Sequence, residues 1–270
     1  MNQRRILTYI MTFPFILGFV LVLCAVHPIL MVCYALGDPR PAMALLNRLL
    51  VINLKAIAGA RLNIERNVEI PEGRPVIFVS NHQSMFDIPL CYSTFEEKDL
   101  KFIAKLELGK WIPSISFVLR NLGSALIRRD DPRQSILAIK DFGKRMEAEH
   151  LSVLFFPEGT RARDGHMKKF LAPGLITLLK AVPSAVIVPV VIDGSWEIVR
   201  WKLLPVPFGV TITLRTLAPI ERSSHNAKEL TETIEKQIRK ALNQIRQKQE
   251  IMDEETAPME TYPVENESDS

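Results

Sequence analysis

Two short segments of the chain contain residue types that can move a proton and bind an anion. The first reads S-N-H-Q-S-M-F-D, in which His82 is followed five positions later by Asp87. The second reads F-P-E-G-T-R and ends at Arg161. Each lies at the end of a short apolar run that favours a buried strand, and open α/β sheets place ligand sites at the carboxyl ends of their strands. Both segments are therefore candidates for one active site.

His82 and Asp87 have a spacing that suits a histidine base held by a carboxylate. An aspartate that folds back across a turn can accept one ring N–H, which fixes the tautomer and leaves the other ring nitrogen as a general base. The same residues are compatible with a polar helix start, in which Ser80 or Asn81 caps the helix and His82 and Asp87 are solvated. The spacing by itself leaves both interpretations open.

The second segment is suited to binding a phosphate group. Gly159 permits a close backbone approach or a positive φ angle. Thr160 supplies a hydroxyl, and Arg161 supplies a planar guanidinium that can bind phosphate through two parallel charge-assisted hydrogen bonds. Further cations follow within eight residues, namely Arg163, Lys168 and Lys169. The alternative is an ordinary Pro-Glu-Gly turn whose charges are solvated.

Taken together, the two segments resemble the glycerolipid acyltransferase family, which contains the 1-acylglycerol-3-phosphate acyltransferases. N-H-Q-S-M-F-D, ending at Asp87, is similar to the family's first block, and F-P-E-G-T-R, ending at Arg161, is similar to its third. Between them, Lys105 lies in a tract that looks like the family's lysine segment, and Arg129 lies in one that looks like the second block, G-x-x-x-I-D-R. V-P-V-V-I-D-G, ending at Gly194, is similar to the fourth. The resemblance covers roughly residues 74 to 216.

The second block departs from the family pattern at one position. The family usually has an acidic residue before the matching arginine, whereas this chain has Arg128 before Arg129. An added cation here would strengthen binding of an anionic head group or would be a change at the surface. The departure bears on the identity of the acceptor more than on the reaction type.

The resemblance implies transfer of a fatty acyl group from acyl-CoA or acyl carrier protein to the sn-2 hydroxyl of 1-acylglycerol-3-phosphate, giving phosphatidic acid. His82 would be the general base and Asp87 would orient it. Arg161 would bind the 3-phosphate, with Lys105 and Arg129 as secondary partners. The acceptor-binding segment would be completed by Glu158, Gly159 and Thr160. There is no G-x-S-x-G motif, which favours direct attack over an acyl-serine intermediate.

Other functions remain open at this point. Within the family, the acceptor could be glycerol-3-phosphate, another lysophospholipid or a lyso-aminolipid. Outside catalysis, the chain could be a membrane-anchored lipid-binding protein, an alternative that the intact motif residues argue against. No cofactor is expected beyond the thioester co-substrate. No metal is expected either, because His82 has no histidine or cysteine neighbour at ligand spacing.

The N-terminal segment, residues 1–40, is predicted to bind the membrane. No Lys, Arg, Asp or Glu occurs between residues 6 and 37. One helix of that length would be about 48 Å long, whereas a bilayer core requires about 20 residues. A tilted span is one interpretation. A re-entrant helical pair broken at Pro14, Gly18 or Pro28 is another, and a cleaved signal peptide is a third, which the length of the run disfavours.

The net charge of +4 is unevenly distributed. Residues 250–270 contain eight acidic groups and no Lys or Arg, so the rest of the chain has a net charge of +12. A basic body beside an apolar segment suits an anionic lipid surface or a phosphorylated substrate. No nucleic-acid-binding motif supports the competing interpretation. The acidic end is predicted to be a disordered tail.

Residues 41–249 are predicted to form a single α/β acyltransferase domain. Six apolar runs are typical of strands: 75–80, 101–104, 124–127, 151–156, 186–192 and 210–216. Helical patterns occur at 132–150, 173–181 and 227–249. Continuous apolar strands that alternate with helices predict a mostly parallel sheet of about six or seven strands, with helices on both faces.

The cysteines and the flanking charges bear on localisation. Three cysteines without a C-x-x-C pair indicate a reducing compartment and no disulfide framework. We therefore expect the catalytic domain on the cytoplasmic side of the inner or plasma membrane. Basic residues lie on both sides of the apolar segment, so the positive-inside rule does not decide its orientation.

Overall fold

The computed structural model describes residues 3–224 and 226–256, which form one β-sheet between helices. The strands are β1 (Arg61–Glu65), β2 (Val76–Ser80), β3 (Lys101–Lys105), β4 (Ala125–Ile127), β5 (Ser152–Phe155), β6 (Val186–Asp193), β7 (Thr211–Thr216) and β8 (Ile220–Glu221). The helices are α1 (Gln3–Ala35), α2 (Arg40–Ala56), α3 (Asp87–Thr94), α4 (Ile115–Asn121), α5 (Pro132–Glu149), α6 (Ala172–Ala181), α7 (Ser195–Ile198) and α8 (Ala227–Thr256).

The sheet is mostly parallel, with β2 near its centre. Over the described residues it has eight strands in the order β1-β7-β6-β2-β5-β3-β4, and β8 pairs with β6. The strands from β2 to β6 run in one direction, whereas β1, β7 and β8 run in the other. The carboxyl ends of β2, β5 and β6 therefore meet at one edge of the sheet.

The central strands are buried because helices cover both faces of the sheet. Every residue of β2, β5 and β6 is buried, and successive side chains of a strand point to opposite faces. Phe78 joins the apolar cluster that includes α1 to α4. Ile77 and Val79 join the cluster that includes α5, α6 and α8. The continuous apolar character of these strands follows from this double cover.

The predicted fold class is confirmed, with two strands added. All six predicted strands are present within one or two residues of their expected bounds. The sheet has eight strands rather than six or seven because β1 and β8 were not recognised. β1 lies at the edge of the sheet and is mostly exposed, so it has no apolar run to reveal it. β8 is only two residues long.

The N-terminal segment forms one continuous helix, α1, rather than the re-entrant helical pair that was one of the open interpretations. Pro14 and Pro28 both lie inside one helix of 33 residues, of which Arg5–Ala35 is long and apolar enough to cross a membrane. Gly18 lies where α1 contacts α2. A Cβ atom at Gly18 would lie 2.3 Å from Oδ1 of Asn53, so glycine allows α2 to pack closely against α1.

The C-terminal helix α8 packs its apolar stripe on the sheet, as predicted. The stripe is buried at Leu230, Ile234, Ile238, Leu242 and Ile245. The helix continues to Thr256, seven residues beyond the predicted boundary at 249. The remainder of the predicted acidic tail, 257–270, lies outside the described residues.

Candidate active site

The two candidate segments meet at the edge of the sheet where the central parallel strands end. The first segment follows β2 and leads into α3, and the second follows β5. β5 and β6 are the two neighbours of β2. The segment 193–195 at the end of β6 therefore lies on the other side of the first segment. The topology thus encloses His82 between two strand ends.

His82 and Asp87 form a hydrogen-bonded pair. Nδ1 of His82 lies 2.8 Å from Oδ2 of Asp87. Because a carboxylate only accepts hydrogen bonds, Nδ1 carries the proton in this arrangement and Nε2 is left as the basic nitrogen. Asp87 is fully buried, so it is not a solvated residue at a helix start. The geometry is that of a general base with its orienting carboxylate.

The carboxylate of Asp87 is held by donors from two directions. Oδ2 accepts hydrogen bonds from the backbone N–H groups of Gln83 (2.7 Å) and Ser84 (2.9 Å). Oδ1 accepts a hydrogen bond of 2.5 Å from the hydroxyl of Ser195, which is itself buried at the start of α7. These donors fix the plane in which the carboxylate meets the imidazole.

The second segment clamps the backbone of His82. Its N–H donates to Oε1 of Glu158 (2.7 Å), and its carbonyl oxygen accepts from the N–H of Ala162 (2.7 Å). The ring of Phe156 stacks on the imidazole, with ring centroids 4.0 Å apart. The F-P-E-G-T-R segment therefore positions the base, in addition to any contact it makes with substrate.

Glu158 is a buried positioning group in this geometry. Its side chain is almost fully buried, and its second oxygen, Oε2, accepts from the N–H of Lys168 (2.8 Å). Burial raises the pKa of Glu158 to about 7, although the two backbone donors oppose that shift. Both oxygens are occupied by backbone groups, so the geometry favours a positioning role over contact with a substrate hydroxyl.

Two residues at the end of β6, Ile192 and Asp193, also hold the first segment. Asn81 exchanges two hydrogen bonds with the backbone of Ile192, of 2.7 and 2.8 Å. Nε2 of Gln83 donates to Asp193 (3.0 Å). Asp193 also accepts from the guanidinium of Arg246 on α8, at 2.8 and 3.0 Å. Three hydrogen bonds, from Asn81 and Gln83, thus tie the first segment to one strand end.

Asp193, Ser195 and Arg246 are site-supporting residues that the sequence did not reveal. Asp193 and Gly194 lie in the tract that resembles the fourth block, and Ser195 follows immediately. Gly194 has a φ angle of +85°, and a Cβ atom there would lie 2.0 Å from the carbonyl oxygen of Thr211. The tract D-G-S was therefore a usable signal for a turn that aims the Ser195 hydroxyl into the site.

Arg161 lies in an electropositive region beside the pair. Partial burial lowers the pKa of its guanidinium, and the neighbouring charges of Arg163 and Arg129 lower it further, whereas Asp87 raises it. Arg161 is therefore within electrostatic range of Asp87 and of two other cations. Such a cluster is suited to a group with more than one negative charge. Thr160 beside it is exposed.

Lys105 and Arg129 lie farther from the pair than Arg161. Lys105 ends β3, and Arg129 follows β4, the neighbouring strand. The sheet order places β5 between β2 and β3, so Lys105 is two strands, or about 10 Å, from the strand that leads to His82. Nζ of Lys105 pairs with Oε2 of Glu107 at 3.5 Å in an exposed ion pair. Arg129 is linked to the site through its charge interaction with Arg161.

Gly159 shapes the turn between Glu158 and Arg161. Its φ angle is +69°, a conformation that favours glycine. A Cβ atom would also lie 2.5 Å from Cδ1 of Leu171, whose N–H donates to the carbonyl of Pro157 (2.7 Å). The glycine thus allows the loop to close on itself beneath the cations.

Two observations concern metal binding and a cysteine nucleophile. Over residues 3–224 and 226–256, no group of three or more His, Cys, Asp or Glu side chains is arranged to hold a metal ion. Cys91, the cysteine nearest the site in sequence, is buried on α3, and burial raises the pKa of its thiol. A thiol in that state is a poor nucleophile.

His82 and the buried Asp87, beside a cluster of cations, form a candidate site for base-assisted transfer of a group. Residues 61–193 match the family model described as Acyltransferase. The matched segment spans nearly half of the chain and contains His82, Asp87, Glu158 and Arg161, whereas Ser195 and Arg246 lie beyond it.

Relatives with similar sequences are named 1-acyl-sn-glycerol-3-phosphate acyltransferases. The chain is 34% identical over 139 residues to the chloroplastic 1-acyl-sn-glycerol-3-phosphate acyltransferase LPAT1 of Arabidopsis thaliana, which covers 51% of this chain and 37% of that protein. It is 30% identical over 178 residues to the human 1-acyl-sn-glycerol-3-phosphate acyltransferase beta, which covers 66% of this chain and 62% of that protein. The chain thus spans less than two thirds of these relatives.

One solved structure shows the same fold over nearly the whole chain. It is the 1-acyl-sn-glycerophosphate (LPA) acyltransferase PlsC from Thermotoga maritima. The TM-score is 0.69, the sequences are 22% identical, and the match covers 90% of this chain and 98% of that one. The likeness of the fold therefore extends beyond residues 61–193.

Proposed function

We propose that this protein transfers a fatty acyl group from a thioester to the sn-2 hydroxyl of 1-acylglycerol-3-phosphate, giving phosphatidic acid. The observation that carries the proposal is the 2.8 Å bond between His82 and a fully buried Asp87. It leaves Nε2 of His82 as a base beside the cation Arg161. The names of the relatives support the same acceptor.

The reaction proceeds by direct attack on the thioester. Nε2 of His82 accepts the proton of the sn-2 hydroxyl as its oxygen attacks the thioester carbonyl carbon. A new C–O bond forms, the C–S bond breaks, and the imidazolium returns the proton to the departing thiolate. Asp87 orients the imidazole and stabilises its transient positive charge. General-base assistance of this kind is worth about 10²–10⁴-fold in rate.

The acceptor is held by its phosphate. Arg161 binds the 3-phosphate, and Arg163 and Arg129 add positive potential around it. Lys105, two strands away, contributes only if the acceptor extends along the sheet edge. No cofactor takes part, since the acyl donor, acyl-CoA or acyl carrier protein, arrives already activated as a thioester.

The proposed membrane attachment is an anchor that lies along the domain. α1 contacts the domain from Thr8, which accepts a hydrogen bond from the N–H of Phe208, to Tyr34, whose ring packs on Phe117. In its middle, Phe15 and Phe19 pack on Phe86, the residue before Asp87. A helix held over this length lies beside the domain in the plane of the bilayer surface, with its outer apolar face in one leaflet. In this proposal the active site lies next to membrane-embedded substrate, and the catalytic domain lies on the cytoplasmic side.

The first test is transfer of a radiolabelled acyl thioester to 1-acylglycerol-3-phosphate. Membranes containing the wild type are compared with His82→Ala and with His150→Asn, a control at an exposed histidine with a left-handed backbone, which asparagine tolerates. We expect activity in the wild type and the control, and a loss of at least about 10²-fold in His82→Ala.

The acceptor is tested with a panel in the same assay. Glycerol-3-phosphate, a neutral lysophospholipid and a lyso-aminolipid replace 1-acylglycerol-3-phosphate, with one donor throughout. Preference for another acceptor would change the proposed substrate and leave the base assignment standing. Equal activity of the wild type and His82→Ala on every acceptor would overturn the mechanism.

A further inference from the structure

Two loops outside the active site present tryptophan side chains to the surroundings. The loop before α4 carries Trp111, which is 96% exposed, and the loop after α7 carries Trp201, 47% exposed, and Leu204, 70% exposed. Large apolar side chains at this exposure are costly in water when they lie together. The acyl-transfer mechanism uses neither loop.

Both loops are hydrogen-bonded to the domain-facing side of α1. In the first loop, the Ser114 hydroxyl donates to the carbonyl of Leu23 (2.6 Å), and its N–H donates to Nδ1 of His27 (3.0 Å). In the second loop, the N–H of Val206 donates to the hydroxyl of Thr12 (2.9 Å). The attachment points at Thr12 and Leu23 are 11 residues apart, about 16 Å along the helix. The loops therefore flank α1 at two separate levels.

The backbone of both loops is held in an unfavourable conformation. Of the six non-glycine residues with positive φ among the described residues, four lie in these loops: Trp111 at +69°, Ser114 at +58°, Lys202 at +56° and Leu203 at +70°. Such conformations persist only where surrounding contacts impose them, and they concentrate at functional surfaces. Ser114 is held in this conformation by its two hydrogen bonds to α1.

The loops also carry positive charge beside the exposed rings. Lys110 precedes Trp111 and Lys202 follows Trp201, and both lysines are exposed. The guanidinium of Arg200 lies over the ring of Trp201, 5.4 Å from its centroid. Tryptophan next to Lys or Arg is the combination that settles at the interface between lipid head groups and acyl chains.

We propose that the loops around Trp111 and Trp201 form, together with the outer face of α1, one docking surface for an anionic lipid bilayer. The continuity of both loops with α1 and their positive charge identify the bilayer as the occupant. The inference rests on the proposed membrane attachment and adds a geometric requirement to it. With α1 in the plane of the surface, Trp111 and Trp201 enter the lipid at the same depth. With α1 as a span, the points at which the two loops attach to α1 would lie about 16 Å apart in depth, and the two rings would differ in depth accordingly.

The test is depth-dependent quenching of tryptophan fluorescence in vesicles of phosphatidylcholine and phosphatidylglycerol. Full-length proteins keep only Trp111 or only Trp201, the other tryptophans being replaced by phenylalanine. The matched control has all three replaced and carries Leu137→Trp, an exposed position on α5 across the sheet. Lipids brominated near the head group or near the chain end serve as the quenchers. We expect Trp111 and Trp201 to be quenched to the same extent by the shallow bromines, and the control to be unaffected.

Other outcomes overturn the proposal. Quenching of neither tryptophan, of only one, or of the two at different depths would exclude this surface. Shielding that depends on protein concentration without vesicles would identify a second copy of the chain as the occupant. The fluorescence needs no enzymatic activity, so a quenched but inactive protein would contradict the proposed function alone, and an active but unquenched protein would contradict this inference alone.

A second measurement uses activity. Trp111→Ser with Trp201→Ser is expected to reduce transfer to vesicle-embedded acceptor by about tenfold or more, as loss of buried apolar area implies. Transfer to a short-chain acceptor dissolved as a monomer should be unchanged, which separates docking from misfolding. Leu137→Ser should change the rate of transfer to neither acceptor. An equal loss on both acceptors would also overturn the proposal.

Discussion

The loop after β2 and the loop after β5 both end at the active site, yet they are built in opposite ways. In the first, Asn81, Gln83, Ser84 and Asp87 are buried and hydrogen-bonded to their surroundings. In the second, the segment beyond Glu158 presents Thr160 and Arg163 to solvent, and Arg161 is only partly buried. A base must be oriented before substrate arrives, whereas a phosphate-binding cation must keep its hydrogen-bond donors for the ligand.

In the loop after β2, Asp87→Asn is expected to have the largest effect on activity. The amide NH₂ would face donors at Gln83, Ser84 or Ser195, and the carboxylate that orients His82 would be lost. We expect kcat to fall by about 10²–10⁴-fold with a small change in KM. Steady-state kinetics with 1-acylglycerol-3-phosphate measures this, and an Asp87→Asn enzyme with wild-type kcat would contradict the pairing.

Glu158 joins the two loops by accepting a hydrogen bond from the N–H of His82. Glu158→Gln tests this contact through the dependence of stability on pH. The pKa of Glu158 is raised to about 7 in the folded protein from an ordinary value of 4.5, so its contribution to stability is fully present below pH 4.5 and is lost as the pH rises through 7. By linkage the loss amounts to about 3 kcal/mol. Glutamine does not titrate, so the variant lacks this slope.

The measurement is chemical unfolding of both proteins at several pH values. The free energy of unfolding of the wild type minus that of Glu158→Gln should fall between pH 4.5 and 7 and then become constant. A difference that does not change with pH would show that Glu158 is not buried in the way the structure indicates.

Arg161→Ala probes the second loop. A lost charge-assisted hydrogen bond to phosphate is worth about 1.5–3 kcal/mol, which corresponds to an increase of about 10–100-fold in KM for the acceptor. The folded protein should remain as stable as the wild type, because Arg161 is not needed to hold the loop. Arg133→Ala, which removes an exposed charge on α5, is the matched control. A fall in kcat at unchanged KM would argue against phosphate binding.

Ser195→Ala should have the smallest effect on activity. It tests selectively how Asp87 is held in the buried loop after β2. We expect kcat to fall by about tenfold, or about 1.4 kcal/mol, with KM unchanged. Since Ser195 acts through Asp87, the substitution should have almost no further effect in an Asp87→Asn background. Ser152→Ala, at a buried serine at the far end of β5, is the control. Additive effects of Ser195→Ala and Asp87→Asn would refute the positioning role.

The sequence alone determined the fold class, most of the strands and the residues at the centre of the site. Buried parallel strands require continuous apolar runs, and these are visible without a structure, as is the motif around His82. The exposed edge strand β1 lacked that signal and was missed. Whether the prolines in α1 break the helix was left open by the sequence, because their effect depends on what packs around the helix.

Only the tertiary structure decided how the site is held. Whether Asp87 is solvated or buried depends on its contact with Ser195, which is 108 residues away in the chain. The clamp on His82 by Glu158 joins positions 76 residues apart. The contact between Asp193 and Arg246 is a third case of the same kind. Such hydrogen bonds form because strands distant in sequence become neighbours in the sheet, and no local pattern records which strands those will be.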